Sequence, residues 1–177
     1  MRTVFLATAL ALPTAVFAAG SDDSNPPTQT NTTKECTGGM VWDAGSKACV
    51  APKESRLDDD TLYGAVRELA YAGDYMGARR VLEAMPDQND DRVLTYWGFT
   101  ARKMGQMDEA MAFYAKALAQ NPNNLLARSY MGQGFVEAGD VELARAELSE
   151  IRTRGGRNTW PEYALRTAIE KGAGYAY

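Results

Sequence analysis

The chain has no histidine, and this removes both the commonest general acid–base and the commonest metal ligand. Its two cysteines, Cys36 and Cys49, are too few for a structural zinc site, which takes about four ligands. Nor do they form the Cys-x-x-Cys spacing of a redox centre. There is no Ser-x-x-Lys pair and no Gly-rich phosphate loop. A basic excess is also missing: 19 Lys and Arg stand against 23 Asp and Glu, a net charge of −4. Binding to nucleic acid needs clustered cations that displace counterions, so none is expected. These absences argue against an enzyme, and neither cofactor nor metal is expected. The carboxylate groups Glu147 with Glu150, and Asp58 to Asp60, read as solvated helix faces and starts.

Long apolar runs are scarce too. Val4 to Phe17 is apolar apart from Thr8, Pro13 and Thr14, and is too short to span a bilayer. It follows a positive start, Met1-Arg2, and leads to Val16-Phe17-Ala18. This is the pattern of a secretory signal over residues 1–18, cleaved after Ala18. The mature chain is therefore expected in the periplasm or secreted, without a membrane span. Residues 19–35 are polar and carry Pro26-Pro27, which reads as a flexible linker.

What is present begins with the cysteine pair. Export oxidises thiols, so one Cys36–Cys49 disulfide is expected. Between them Met40-Val41-Trp42 can form a strand, and Asp43-Ala44-Gly45-Ser46 reads as a turn. Residues 36–51 thus predict a small disulfide-stapled hairpin. Cys36, Gly39, Trp42, Asp43 and Cys49 resemble one segment of peritrophin-type chitin-binding modules, although that family's other four cysteines are absent. The resemblance implies a second reading, cell-wall or polysaccharide binding through this knob.

The strongest signal is an internal echo. Gly98, Gly105 and Ala110 recur as Gly132, Gly139 and Ala144, 34 positions on. Gly73 and Ala78 precede Gly105 and Ala110 by 32. A period near 34 marks stacked helical hairpins, none of which can bury its apolar face alone. Units are expected over 59–90, 91–124 and 125–158, within 57–158. Asp58 to Asp60 would start the first helix. Thr159-Trp160-Pro161 would start a capping helix over 159–171, with Tyr163, Leu165 and Ile169 on the third unit. The methionines at helical spacing, Met76, Met85, Met104, Met107, Met111 and Met131, read mostly as core.

The second unit resembles a tetratricopeptide repeat. Gly98, Ala110 and Ala117 match its small crossing positions, Tyr114 its aromatic and Pro122 its terminal proline. The outer units depart from the pattern, with Val66 at a small position, Arg128 at an aromatic one and Gly156 where proline is usual. The resemblance implies an all-α, right-handed superhelical stack of three units with a capping helix. It also implies a concave groove that binds a protein or peptide. Family groove positions fall on Tyr63, Arg67, Tyr71, Arg92, Tyr96, Phe99, Arg102, Lys103, Tyr130 and Gln133. Aromatic and Arg residues carry interface energy, and Arg pairs with carboxylates. The expected partner therefore has acidic residues or a free C-terminus. The chain reads as an exported adaptor or scaffold in envelope or complex assembly, with self-association also open. On this reading, replacing Tyr96 by Ala and Arg102 by Glu abolishes binding and spares the helices.

Overall fold

The structure, a computed structural model, describes residues 23–54 and 56–176. The signal-peptide reading of residues 1–18 lies outside them. Helix α1 (Asn31–Glu35) leads into a hairpin of β1 (Val41–Asp43) and β2 (Ala48–Val50), and a 3-10 turn follows at Pro52–Glu54. Seven longer helices come next: α2 (Asp59–Tyr71), α3 (Tyr75–Leu82), α4 (Asp91–Lys103), α5 (Met107–Gln120), α6 (Leu125–Ala138), α7 (Val141–Thr153) and α8 (Trp160–Lys171). Helices α2/α3, α4/α5 and α6/α7 pack as consecutive hairpins, and α8 closes on α6 and α7. None of these helices is long and apolar enough to cross a membrane.

Side-chain caps set where the helices begin. Asp58 accepts from the Thr61 amide at 2.7 Å, Asp74 from Gly77 at 2.7 Å, and Asn124 from Ala127 at 2.8 Å. Each satisfies an amide that has no partner within its helix. Within each hairpin the turn falls on a glycine in the left-handed region: Gly73, Gly105 and Gly139 have φ of 84°, 81° and 87°. That requirement is one source of the echo.

Close packing is the other. A β-carbon on Gly98 would stand 2.5 Å from the Tyr114 ring of α5, and one on Gly132 would stand 2.7 Å from Leu165 of α8. The first glycine thus serves its own hairpin, and the second admits the capping helix. Ala78, Ala110 and Ala144 are fully buried at the equivalent crossings. The departures from the repeat pattern have local reasons. Arg128 donates to the Pro122 carbonyl and to Glu147 at 2.8 Å, tying α6 to α7 by charge where an aromatic is usual. In the short first unit, Gln88 donates to the carbonyls of Leu82 and Met85, both at 2.8 Å, closing the end of α3.

Cys36 and Cys49 are disulfide-bonded. The hairpin they staple is antiparallel, with Val41 opposite Val50. Asp43 shapes its turn by accepting from the Gly45 amide at 2.9 Å and the Ser46 hydroxyl at 2.7 Å. Val41 is buried in the main core, and Arg80 of α3 donates to the Gly38 carbonyl at 2.8 Å. The knob therefore caps the first end of the stack, where an apolar edge would otherwise be wet. Trp42 is half-buried.

Three expectations are corrected. The linker of residues 19–35 is packed from residue 23 onward, because Glu68 of α2 recruits it. That carboxylate accepts from the Thr30 amide and hydroxyl, both at 2.6 Å, and from the amide and hydroxyl of Thr33. The methionines divide. Met85 is buried and Met111 and Met131 pack on the core, while Met76 and Met104 are exposed. Tyr163 is also exposed, whereas Leu165 is buried and Ile169 half-buried in the α7/α8 cluster.

Candidate inner-face site

Helices α2, α4 and α6 are the first of each hairpin, and their facing sides bring the ten expected groove residues together. Tyr63, Tyr96, Phe99 and Tyr130 are fully buried and form a ladder of rings. Tyr63 meets Tyr96 edge-on at 5.7 Å, Tyr96 meets Tyr130 edge-on at 5.9 Å, and Phe99 lies 4.8 Å from Tyr130. These edge and tilted contacts are the favoured geometry of aromatic pairs. The hydroxyls are joined: Tyr71 to Tyr130 at 2.7 Å and Tyr96 to Tyr130 at 3.3 Å. Burial pushes the phenols of Tyr63, Tyr71 and Tyr96 above their ordinary range, so they stay neutral.

These residues were expected to face an open groove, but segments of the chain itself cover them. From the N-terminal side, Asp23 accepts from the Tyr63 hydroxyl at 2.7 Å and lies 3.6 Å from Nε of Arg67. Arg67 is buried and donates to the Asn25 carbonyl at 2.6 Å. The Trp160 amide donates to the Ser24 carbonyl at 2.8 Å. Burial raises the Asp23 carboxyl, and Arg67 and the Tyr63 hydroxyl oppose that rise. Arg92 stands at the edge of this seat, 4.9 Å over the Tyr63 ring and 3.1 Å from Asp60. Beside it opens a cavity of about 250 Å³ bordered by Asp23, Arg92, Asn124 and Pro161.

The other end is covered by the C-terminal tail. The Tyr175 amide donates to Oε1 of Gln133 at 3.2 Å, and the Tyr175 carbonyl accepts from Nζ of Lys103 at 3.2 Å. Trp160 meets the Tyr175 ring edge-on at 5.1 Å and donates its indole N–H to the Tyr71 hydroxyl at 2.7 Å. Arg102 is part of the floor: it is buried and ion-paired with Glu137. Asp23, Trp160, Gly174 and Tyr175 were not anticipated at this site, whereas Glu137 falls on a family groove position of the third unit. The only signal for the tail was its aromatic Gly-Tyr-Ala-Tyr ending after the glycine that stops α8.

Lys103 carries a testable electrostatic mark. Burial pushes its ammonium down to about 8, Arg102 pushes in the same direction, and Glu137 opposes them. A folded value below the unfolded one means that the charged form costs stability. Stability at this site is therefore lowest below about pH 8 and rises toward the ordinary lysine range, because the unfolded chain binds the extra proton over that window. NMR of the Lys103 side chain is expected to show a midpoint near 8. An ordinary lysine midpoint would mean that the side chain is solvated and the tail undocked.

Among the described residues, no three or more His, Cys, Asp or Glu side chains converge as a metal site. The arrangement instead presents donors to polypeptide carbonyls and carboxylates over an aromatic floor. A tetratricopeptide repeat family model matches residues 101–169, from the end of α4 into α8. That match supports a tetratricopeptide repeat protein, and such repeats characteristically mediate protein–protein interaction or scaffolding. No curated protein and no solved structure matches the chain significantly.

Proposed function

We propose that this chain is an exported adaptor which holds a protein partner by an extended segment laid along the inner face. The observation that carries the reading is the face's present use. It already holds two segments of its own chain, residues 23–25 and 174–175, through groups that contact backbone carbonyls, a backbone amide and a carboxylate. Chemistry that seats these segments in cis can seat a similar segment in trans.

The ten residues then take two roles. Tyr71, Tyr96, Phe99, Arg102 and Tyr130 build the floor. Tyr63, Arg67, Arg92, Lys103 and Gln133 meet the segment. The Tyr63–Arg67–Arg92 seat suits an acidic side chain or a terminal carboxylate, because Arg binds carboxylates through charge-assisted hydrogen bonds. The Cys36–Cys49 bond fits an oxidising compartment, and the signal-like start fits delivery there. The envelope is the proposed site of action, with complex assembly as the role.

The test compares capture from a mildly cross-linked envelope extract by the mature protein and by Arg92→Ala. Arg92 is half-buried and sits at the edge of the face, so the variant keeps its fold. A partner that purified variant binds roughly tenfold more weakly, a loss of about 1.4 kcal/mol, is the expected result. A partner held equally by both proteins would move binding away from this face.

A further inference from the structure

The tail does more than cover the inner face: it shows what that part of the face is shaped to hold. Three features converge on two adjacent residues. Gln133 of α6 and Lys103 of α4 bond the amide and the carbonyl of one residue, Tyr175. Both of these bonds go to main chain, so they hold an extended strand without selecting a side chain. Selection comes from the neighbours. A β-carbon built on Gly174 would stand only 1.8 Å from Oε1 of Glu137. Glu137 is held by the buried guanidinium of Arg102, so making room for a β-carbon would disturb that ion pair. Glycine is therefore favoured at that position. The following side chain lies against Trp160 at 5.1 Å and Tyr163 at 6.1 Å, both on α8.

The tail is also easily released. It follows Gly172, which ends α8 in the left-handed region, and Tyr163 beside it is exposed. A short segment with little buried area opens at low cost.

We infer that the trough formed by Lys103, Gln133, Glu137, Trp160 and Tyr163 is a seat for a glycine–aromatic step in an extended segment of a partner protein, filled in the resting chain by Gly174–Tyr175. The inference rests on the inner-face reading above and specifies part of the ligand. The partner carries a glycine followed by an aromatic residue, at one end of the segment whose other end bears the acidic group. The tail competes for the same seat, so binding of the partner requires its release.

The experiment uses the full mature chain, its Gly174→Ala variant and its Tyr175→Ala variant. The probe is a synthetic peptide with the sequence of residues 173–176, blocked at both ends. Gly174→Ala expels the tail through its clash with Glu137 and leaves every seat residue unchanged. Binding is read from the NMR signals of the Trp160 indole and the Gln133 side-chain amide, and circular dichroism verifies the fold. The peptide is expected to bind both variants at least about tenfold more tightly than the intact chain. Peptides bearing Gly174→Ala or Tyr175→Ala are expected to lose that binding.

Absence of shifts at Trp160 and Gln133 in both variants at millimolar peptide would overturn the inference, as would equal affinity for all three proteins. So would an intact chain that dimerises and becomes monomeric on Tyr175→Ala, because the occupant would then be a second copy. A partner lost on Arg92→Ala but not displaced by the peptide would leave the adaptor reading standing and remove this seat. Peptide binding as expected, with a partner indifferent to Arg92→Ala, would keep the seat and remove that reading.

Discussion

Gly98→Val is expected to lower the melting temperature by about 10 °C, corresponding to about 3 kcal/mol of overpacking. The glycine lies mid-helix in α4, where another residue would ordinarily gain about 1 kcal/mol of helix propensity. Sterics reverse that preference. The first added carbon would already stand 2.5 Å from the Tyr114 ring, which is fully buried and has no room to retreat. The two methyls of valine then force α4 from α5 and disturb the aromatic floor at the adjacent Phe99. Gly105→Ala is the control. Nothing lies within 4 Å of its new carbon, but φ is 81°, so the cost is backbone strain of about 1 kcal/mol. Thermal unfolding of the two variants should separate these causes. Similar losses for both would mean that α4 and α5 do not approach closely at Gly98.

Arg102→Ala is expected to cost about 3 kcal/mol, because it removes one partner of a buried ion pair. The Arg102 side chain is 0 % exposed, while that of Glu137 is 29 % exposed. Water can therefore relieve the abandoned carboxylate in part, which places the loss at the low end of the range for such pairs. Glu137→Gln, which keeps its carbonyl oxygen as an acceptor, is expected to cost less. A double-mutant cycle by urea denaturation isolates the coupling, and near-additive losses would contradict a working pair. This result also corrects the paired substitution of Tyr96 by Ala and Arg102 by Glu. Both residues are floor, and Glu at 102 would face Glu137, so that variant is expected to unfold rather than report on binding. Arg92 at the edge is the informative site.

The sequence made the repeat legible because its causes are local and recur. Gly73, Gly105 and Gly139 each end a helix that only a left-handed residue can turn. Gly98 and Gly132 each lie under a large side chain. The knob was legible for similar reasons, with Asp43 folding its own turn and Cys36 meeting Cys49 across a short loop. The inward side of α2, α4 and α6 could also be read, since position within the repeat decides it.

What covers that side was not legible. Thr30 meets Glu68 across 38 positions, Arg67 meets Asn25 across 42, and Trp160 meets Tyr71 across 89. No periodicity encodes contacts between a repeat and a non-repeating end. The tract from Ser21 to Lys34 has few apolar residues, so it resembled a linker. From residue 23 onward its order comes from hydroxyls and carbonyls that complete buried polar groups, Glu68 and Arg67. Hydrophobicity arguments are insensitive to that kind of attachment.

The most direct measurement is a set of proton–proton NMR contacts in the labelled protein in solution. Cross-peaks are expected between the Trp160 and Tyr175 rings, between the Trp160 indole proton and the Tyr71 ring, and between Asp23 and Tyr63. The Trp160 indole proton is expected to exchange slowly with water. Rapid exchange there, with Asp23 and Tyr175 showing only contacts to their sequence neighbours, would contradict an inner face held in cis by the segments flanking the repeats.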